Sequence, residues 1–280
     1  NMSAAGKIKK LGVIGDVHSE HHRLEATLAH LEGLDTDAIV CTGDIVDGIG
    51  CPNESIKLLD SASVFTVRGN HDRWILEDKA RHITDAHSVT ELSEESLSYL
   101  TSLPSQVTLD TIRGKLLLCH GVADDDLRKV WPGTEKVPIE PSHLLDKIIL
   151  EGEFQYLING HMHFRTLIHF EGLTLINAGT LRGEHWPGFS VIDFEAEYIT
   201  AFEFCGDLSL IQTPSPRDRT RSRMPSSAGK KKNTKICSHS IQQNPYQLTY
   251  HVRYRRYTSK LDVTLYDRNQ PRSASHDHEQ

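Results

Sequence analysis

Val13-Ile14-Gly15-Asp16-Val17-His18 carries the architecture: an apolar run of strand length ends, through a glycine, in two side chains able to bind a metal. The construction returns four more times. Ile39-Val40-Cys41-Thr42-Gly43 leads to Asp44, and Phe65-Thr66-Val67-Arg68-Gly69 leads to Asn70 and His71. Leu117-Leu118-Cys119 leads to His120, and Leu157-Ile158-Asn159-Gly160 leads to His161 and His163. In α/β sheets sites assemble beyond the carboxyl ends of strands, so residues far apart along the chain can converge on one point. The glycine before most of them lets the backbone turn sharply and approach closely. Gly-Asp and Gly-Asn also favour ordinary turns, but that explanation needs five coincidences in order.

Between these runs the periodicity predicts helices and further strands. Leu24, Leu28 and Leu31 recur at helical spacing and place a helix over 20–31. Strands are predicted over 8–14, 38–41, 64–67, 107–109, 115–119 and 156–158, with helices over 53–59, 96–103 and 142–150. Ser93 caps the helix that stops at Pro104. From 166 to 204 the apolar residues alternate, with turns at Glu171-Gly172 and near Pro187-Gly188, which reads as an antiparallel second sheet. The class is α/β, or α+β.

Composition bounds the function. The 280 residues are 38% hydrophobic, enough for a sizeable core. No apolar run approaches the roughly 18 residues of a membrane span. Lysines 7, 9 and 10 precede an apolar stretch that Asp16 interrupts before a signal-peptide core can form. Cys41, Cys51, Cys119, Cys205 and Cys237 are widely spaced with no Cys-x-x-Cys pair, which argues against a disulfide framework or a zinc ribbon. A cytoplasmic, reducing setting follows. The net charge of -7 divides unevenly: residues 1–211 hold 17 Lys+Arg against 33 Asp+Glu, and the remainder holds 14 against 5. Residues 1–211 therefore read as the folded domain. Residues 212–280 read as a basic, low-complexity, largely disordered extension, although 248–257 and 261–266 have strand-like composition. Its Arg and Lys, spaced with Tyr250, Tyr254 and Tyr257, could track a nucleic-acid backbone; a functionless extension fits the same composition.

Asp, Asn and His together are the oxygen and imidazole ligands that suit Mn, Fe, Zn or Co. Seven are too many for one ion. Two ions about 3.5 to 4 Å apart, sharing a carboxylate and a hydroxide, would use them all.

The five stretches stand as Gly15-Asp16-Val17-His18, Gly43-Asp44, Gly69-Asn70-His71-Asp72, His120-Gly121 and Gly160-His161-Met162-His163. In content and order they resemble the motif blocks of the calcineurin-like metallophosphoesterases, over residues 8–204. The resemblance implies a two-sheet β-sandwich flanked by helices. It implies two divalent transition ions, Mn foremost, with Fe, Zn, Co or Ni as alternatives. Asp16, His18, Asp44 and His163 would hold the first, and Asp44, Asn70, His120 and His161 the second, with Asp44 as the bridge. It implies attack on phosphorus by a bridging hydroxide. His71 would donate a proton to the leaving group, a role that typically contributes about 10²–10⁴-fold. Asp47 occupies the place that supplies this histidine's partner in the protein Ser/Thr phosphatases, with Asp72 as second choice.

Those phosphatases continue as Asp-Arg-Gly, and here Gly48-Ile49 follows Asp47, which argues against a protein substrate. The stretches around Cys51-Pro52-Asn53-Glu54, Leu92-Ser93-Glu94-Glu95-Ser96 and Leu175-Ile176-Asn177-Ala178-Gly179-Thr180 resemble a small bacterial branch of phosphodiesterases and broad-range phosphatases. The substrate implied is a phosphorylated small molecule or nucleotide. A scaffold of this fold, binding metal and mediating protein interactions without catalysis, is the alternative, and the intact ligand set weighs against it. Among the rest, Arg182 is a candidate for substrate phosphate and Asp124-Asp125-Asp126 for the rim of a cleft. Cys119 reads as a buried apolar residue, and His21, His22, His30, His82, His87, His143, His169 and His185 have no motif position.

Overall fold

The computed structural model describes residues 7–205 and 208–212, and the segment beyond, with its strand-like stretches, lies outside the described residues. Alternation of side chains along the strands explains the layering. In β1 (Lys10–Ile14), Leu11 and Val13 point one way and Ile14 the other. In β5 (Gly114–Cys119), Leu116 and Leu118 face Leu11 and Val13, while Leu117 and Cys119 face away. Two sheets thus close on a shared apolar layer that also takes Val40, Ile158, Ile176 and Ile192.

The first sheet has the order β11-β10-β9-β1-β2-β3. It joins β2 (Ala38–Cys41) and β3 (Phe65–Thr66), both parallel to β1, to β9 (Gly188–Asp193), β10 (Tyr198–Cys205) and β11 (Ser209–Gln212), where β9 is antiparallel to β1, β10 to β9 and β11 to β10. The second has the order β4-β5-β6-β8-β7. Here β5, β6 (Tyr156–Asn159) and β8 (Leu173–Ala178) run parallel, with β4 (Gln106–Thr111) and β7 (Arg165–Phe170) antiparallel at the edges. Helices α1 (His21–Glu32), α2 (Pro52–Ser61) and α4 (Glu94–Ser102) cover the first sheet through Leu24, Leu31, Leu59 and Leu100. Helix α5 (His143–Glu151) covers the second through Leu145 and Ile148. No helix among the described residues is long and apolar enough to cross a membrane.

The two-sheet sandwich agrees with expectation, but the division of 166–204 does not. Only β7 and β8 belong to the second sheet; β9 and β10 cross to the first, and β8 lies parallel to β6. Alternation reports which face a side chain takes and says nothing about which sheet the strand joins. The seven-residue helix α3 (Asn70–Leu76), hidden behind the Gly-Asn-His loop signal, is also new.

The sheets are stitched where the strands end. Asp16 and Thr180, just past β1 and β8, form a parallel bridge: Asp16 N donates to the Gly179 carbonyl at 3.1 Å, and Leu181 N donates to that of Asp16 at 2.9 Å. A second bridge, Ile8 with Thr111, joins the opposite end.

Candidate metal centre

At the carboxyl ends of β1, β2, β5 and β6, the loops turn the chemistry-bearing side chains toward one another. His18, Asp44, His161 and His163 hold positive φ, at 46°, 46°, 66° and 60°. Such backbone is strained for residues other than glycine. Two glycines make room: a Cβ on Gly69 would collide with the Asp44 carboxylate, and one on Gly160 with that of Asp16.

Two groups of ligand atoms result. Asp16, His18, Asp44 and His163 form one, and Asp44, His120 and His161 the other; within each, the atoms lie within 4.8 Å of one another. Asp44 belongs to both. Asn70 joins the second, its Oδ1 3.0 Å from His120 Nε2. Thus all seven sequence-predicted ligands come to one place. Except for His161 and His163, they are buried.

Second contacts fix the donors. His18 Nδ1 donates to the Asp47 carbonyl at 2.8 Å and His120 Nδ1 to the Thr42 carbonyl at 2.6 Å. A carbonyl can only accept, so in each neutral ring the proton sits on Nδ1 and the Nε2 lone pair faces inward. Asp16 Oδ1 accepts from Thr42 Oγ1 at 2.9 Å and Oδ2 from His161 N at 2.8 Å, while Asp44 Oδ1 accepts from His71 N at 2.8 Å. Outer partners of this kind orient metal ligands.

Facing the centre are therefore like groups. His120 Nε2 is 3.0 Å from an amide oxygen and 3.3 Å from Asp44 Oδ2, and His18 Nε2 is 2.9 Å from His163 Nε2. Lone pairs set against oxygen need a proton or a cation between them. Titration divides these groups. Burial, reinforced by Asp44 and opposed by His120, pushes Asp16 up to about 7. Burial pushes Asp44 up too, but His120, His71 and His18 outweigh it and hold it well below the usual carboxylate range. Burial lowers His120, yet Asp44 and Asp16 prevail and raise it to about 10. His18 and His161 are lowered to about 4, and His163 to about 3, chiefly by burial. Only Asp16 and His120 hold a proton tightly; His18, His161 and His163 are kept neutral and Asp44 ionised, the forms in which imidazole and carboxylate bind a divalent transition ion.

Beside the ligands, His71 Nδ1 lies 2.7 Å from Oδ2 of the fully buried Asp47. Burial lowers His71, but the hydrogen bond to Asp47 and the charge of Asp44 outweigh it, so its pKa is raised. Asp72 is placed otherwise: its Oδ1 accepts from Ile45 N at 2.7 Å and Val46 N at 3.2 Å, and Oδ2 from Gly69 N at 3.0 Å. It clamps the Asp44 loop to the start of α3.

Two residues that sequence reasoning passed over hold Asp47. His87 N donates to Asp47 Oδ1 at 2.9 Å, and Arg81 Nε lies 2.7 Å from Oδ2. Both come from the irregular segment between α3 and α4, and neither carries a motif signal. Of the other candidates, Arg182 pairs with Asp85 at 3.3 Å and with Glu184 at 3.5 Å. Asp126 binds Arg73 at 2.7 and 2.9 Å, so this acidic residue braces α3. Cys119 is fully buried, and burial pushes its thiol up to about 12, out of nucleophile range.

A family model described as the calcineurin-like phosphoesterase superfamily domain matches residues 10–197. The chain is 26% identical over 179 residues to the uncharacterized protein MJ0912 of Methanocaldococcus jannaschii, covering 61% of this chain and 69% of that one. It is 25% identical over 213 residues to a DNA polymerase II small subunit of Methanothermobacter thermautotrophicus, covering 61% of this chain but only 42% of that protein's length. The crystal structure of a metallophosphoesterase from Sphaerobacter thermophilus shares the fold, with a TM-score of 0.53 at 20% identity over 71% of this chain and 89% of that one.

Proposed function

Because this chain belongs to the calcineurin-like phosphoesterase superfamily, we propose that residues 1–211 hydrolyse a phosphomonoester or phosphodiester at a dinuclear centre. The observation that carries the reading is the meeting of two ligand groups on one shared carboxylate, Asp44, with lone pairs turned inward. Asp16, His18, Asp44 and His163 would hold one ion, and Asp44, Asn70, His120 and His161 the other, with manganese the first candidate. When bound, such ions lower the pKa of a coordinated water and neutralise charge on the phosphoryl oxygens.

The chain's own residues do the rest. Thr42 and Asp47 carbonyls lock the imidazoles of His120 and His18 with Nε2 inward. His71 is outside both ligand groups and keeps its proton through Asp47, so its Nε2 is the general acid for the leaving oxygen. Asp47 holds that ring at Nδ1, and Arg81 and His87 hold Asp47. Cys41, Cys51, Cys119 and Cys205 are all free, which supports a reducing, cytoplasmic setting.

The test is metal content together with turnover of bis-p-nitrophenyl phosphate and p-nitrophenyl phosphate. The protein should take up about two Mn²⁺ per chain and hydrolyse at least one of the two, and Asp44→Asn should lose both properties. Hydrolysis that persists in fully demetallated protein would refute the reading.

A further inference from the structure

Between α3 and α4, residues 77–88 form neither helix nor strand, yet both ends of this segment are fastened. Lys79 N donates to the Trp74 carbonyl at 2.9 Å, and Ser88 N to Glu91 Oε1 at 2.6 Å. Residues 82–84, in the middle, are exposed. The side chain of Arg81 is turned inward, 7% exposed, and ties the segment into one body by donating to the Lys79 carbonyl at 2.8 Å and to the His87 carbonyl.

Two sets of contacts hold the segment against the rim of the centre. The first is to Asp47, whose carbonyl fixes His18. Asp47 N donates to His87 Nδ1 at 3.1 Å, and His87 N donates back to Asp47 Oδ1 at 2.9 Å. Arg81 Nε lies 2.7 Å from Oδ2 but is not aligned for a hydrogen bond, so this contact is an ion pair. The second set is one bond: Asp85 Oδ2 accepts from Arg182 Nη2 at 3.3 Å. Arg182 follows β8 of the second sheet, so Asp85 ties the segment across the rim. Arg182 is near enough to the centre for its charge to act on His18 and His163.

The two sets differ in strength. Asp47 is fully buried, and water does not compete for its contacts. The Asp85–Arg182 pair is partly exposed on both sides, the kind of bond that breaks readily. Arg182 also has an alternative partner in its own loop, with Nε 3.5 Å from Glu184 Oε2. One guanidinium set between a carboxylate on the segment and another beside it is a two-position element. Resting for its catalytic part on the hydrolase reading above, we propose that residues 77–88 are a strap latched across the rim by Asp85 and Arg182, and that the latched form is the one that seats Asp47 behind His71. Latched, His87 and Arg81 fix both carboxylate oxygens of Asp47, and Oδ2 holds His71 Nδ1 at 2.7 Å. Released, with Arg182 on Glu184, the strap lifts and draws Arg81 and His87 from Asp47. The rim then opens for entry or release while the acid loses its orientation, as when lid closure completes a site. Asp85 acts through Asp47 and is a positioning residue.

The test is amide hydrogen exchange at Asp47 and His87, the two N–H groups closed by the latched form, on the full-length, Mn²⁺-loaded protein. Asp85→Asn should speed exchange there roughly 1.5- to 5-fold, the span that loss of one partly exposed ion pair covers. Asp85→Lys, which turns attraction into repulsion of like size, should speed it roughly 2- to 30-fold. Combining Asp85→Lys with Arg182→Glu re-forms the pair with its charges exchanged and should slow exchange again. In turnover, Asp85→Lys should lower kcat for a phenyl ester more than for a p-nitrophenyl ester, moving their ratio by about threefold or more, and the double variant should restore the ratio. Both esters carry the same phosphate, so a change in phosphate binding or in stability alone leaves that ratio where it was. Unchanged exchange in both single variants, or fast exchange that the double variant does not slow, would overturn the latch. Fast exchange with an unmoved ratio would overturn its link to His71. Should the wild type hydrolyse neither ester, the hydrolase reading fails instead, and exchange alone decides whether the latch stands.

Discussion

Replacing Asp47 by Asn tests the acid assignment most directly. The change keeps the side chain's shape and removes its charge, where Oδ2 is 2.7 Å from His71 Nδ1 and fully buried. A hydrogen bond to a charged partner contributes about 1.5–3 kcal/mol. At 1.36 kcal/mol per tenfold, its loss corresponds to a roughly 10- to 150-fold fall in kcat wherever protonation of the leaving group limits the rate. The effect should also depend on pH in a fixed sense. Asp47 keeps the His71 pKa above the ordinary histidine value, so the acid form survives to higher pH in the wild type. Without Asp47 the proton is lost at lower pH, and the basic limb of the kcat profile should move toward acid. The assay is kcat against pH for a phenyl ester, which needs the acid, and a p-nitrophenyl ester, which needs it far less. Metal content should stay near the wild-type value, because Asp47 offers a ligand only its backbone carbonyl. An unmoved basic limb, or equal slowing of both esters with metal retained, would refute the reasoning.

Mn²⁺ affinity should fall about tenfold per pH unit below neutrality for each proton displaced, because Asp16, raised to about 7 mainly by burial, takes up a proton that the ion must remove. Calorimetry at about pH 8 and about pH 6 would read this, and a flat affinity would contradict it. Gly160→Ala should drive a methyl into Asp16 Oδ1 and Thr42 Oγ1, with a loss of about 1–3 kcal/mol of stability and a drop in bound metal measured by atomic absorption. Asp72→Ala strands the N–H groups of Ile45, Val46 and Gly69. A penalty of about 3 kcal/mol, hence a Tm lower by about 6–12 °C, is expected in a thermal melt. A shift under about 2 °C would show that water satisfies those groups.

The ligand stretches were legible because each places a polar, metal-binding side chain directly behind an apolar run, against the local pattern. Such a conflict marks a functional site. The positions of β1, β2, β5 and β6 along the chain follow from the same runs. The supports were not legible. Asp72 next to His71 reads as a possible partner, and only the turn of α3 aims its carboxylate back at Ile45 and Gly69. Arg81 and His87 reach Asp47 from 34 and 40 residues along the chain, through a segment with no periodicity. Strand alternation could not say that β9 abandons β8 for β1, because it fixes the face each side chain takes and not the sheet the strand joins.

The stitch at Asp16 and Thr180 has a mechanical consequence. Asp16, His18, Asp44 and Asn70 issue from one sheet, and His120, His161 and His163 from the other. Any ion gripped by both contingents acts as a rivet through the sandwich. Stripping it should leave each layer folded while freeing the pair to shear at that rim. Distant substitutions that loosen the seam would then first be felt as leaking metal, well before the protein melts.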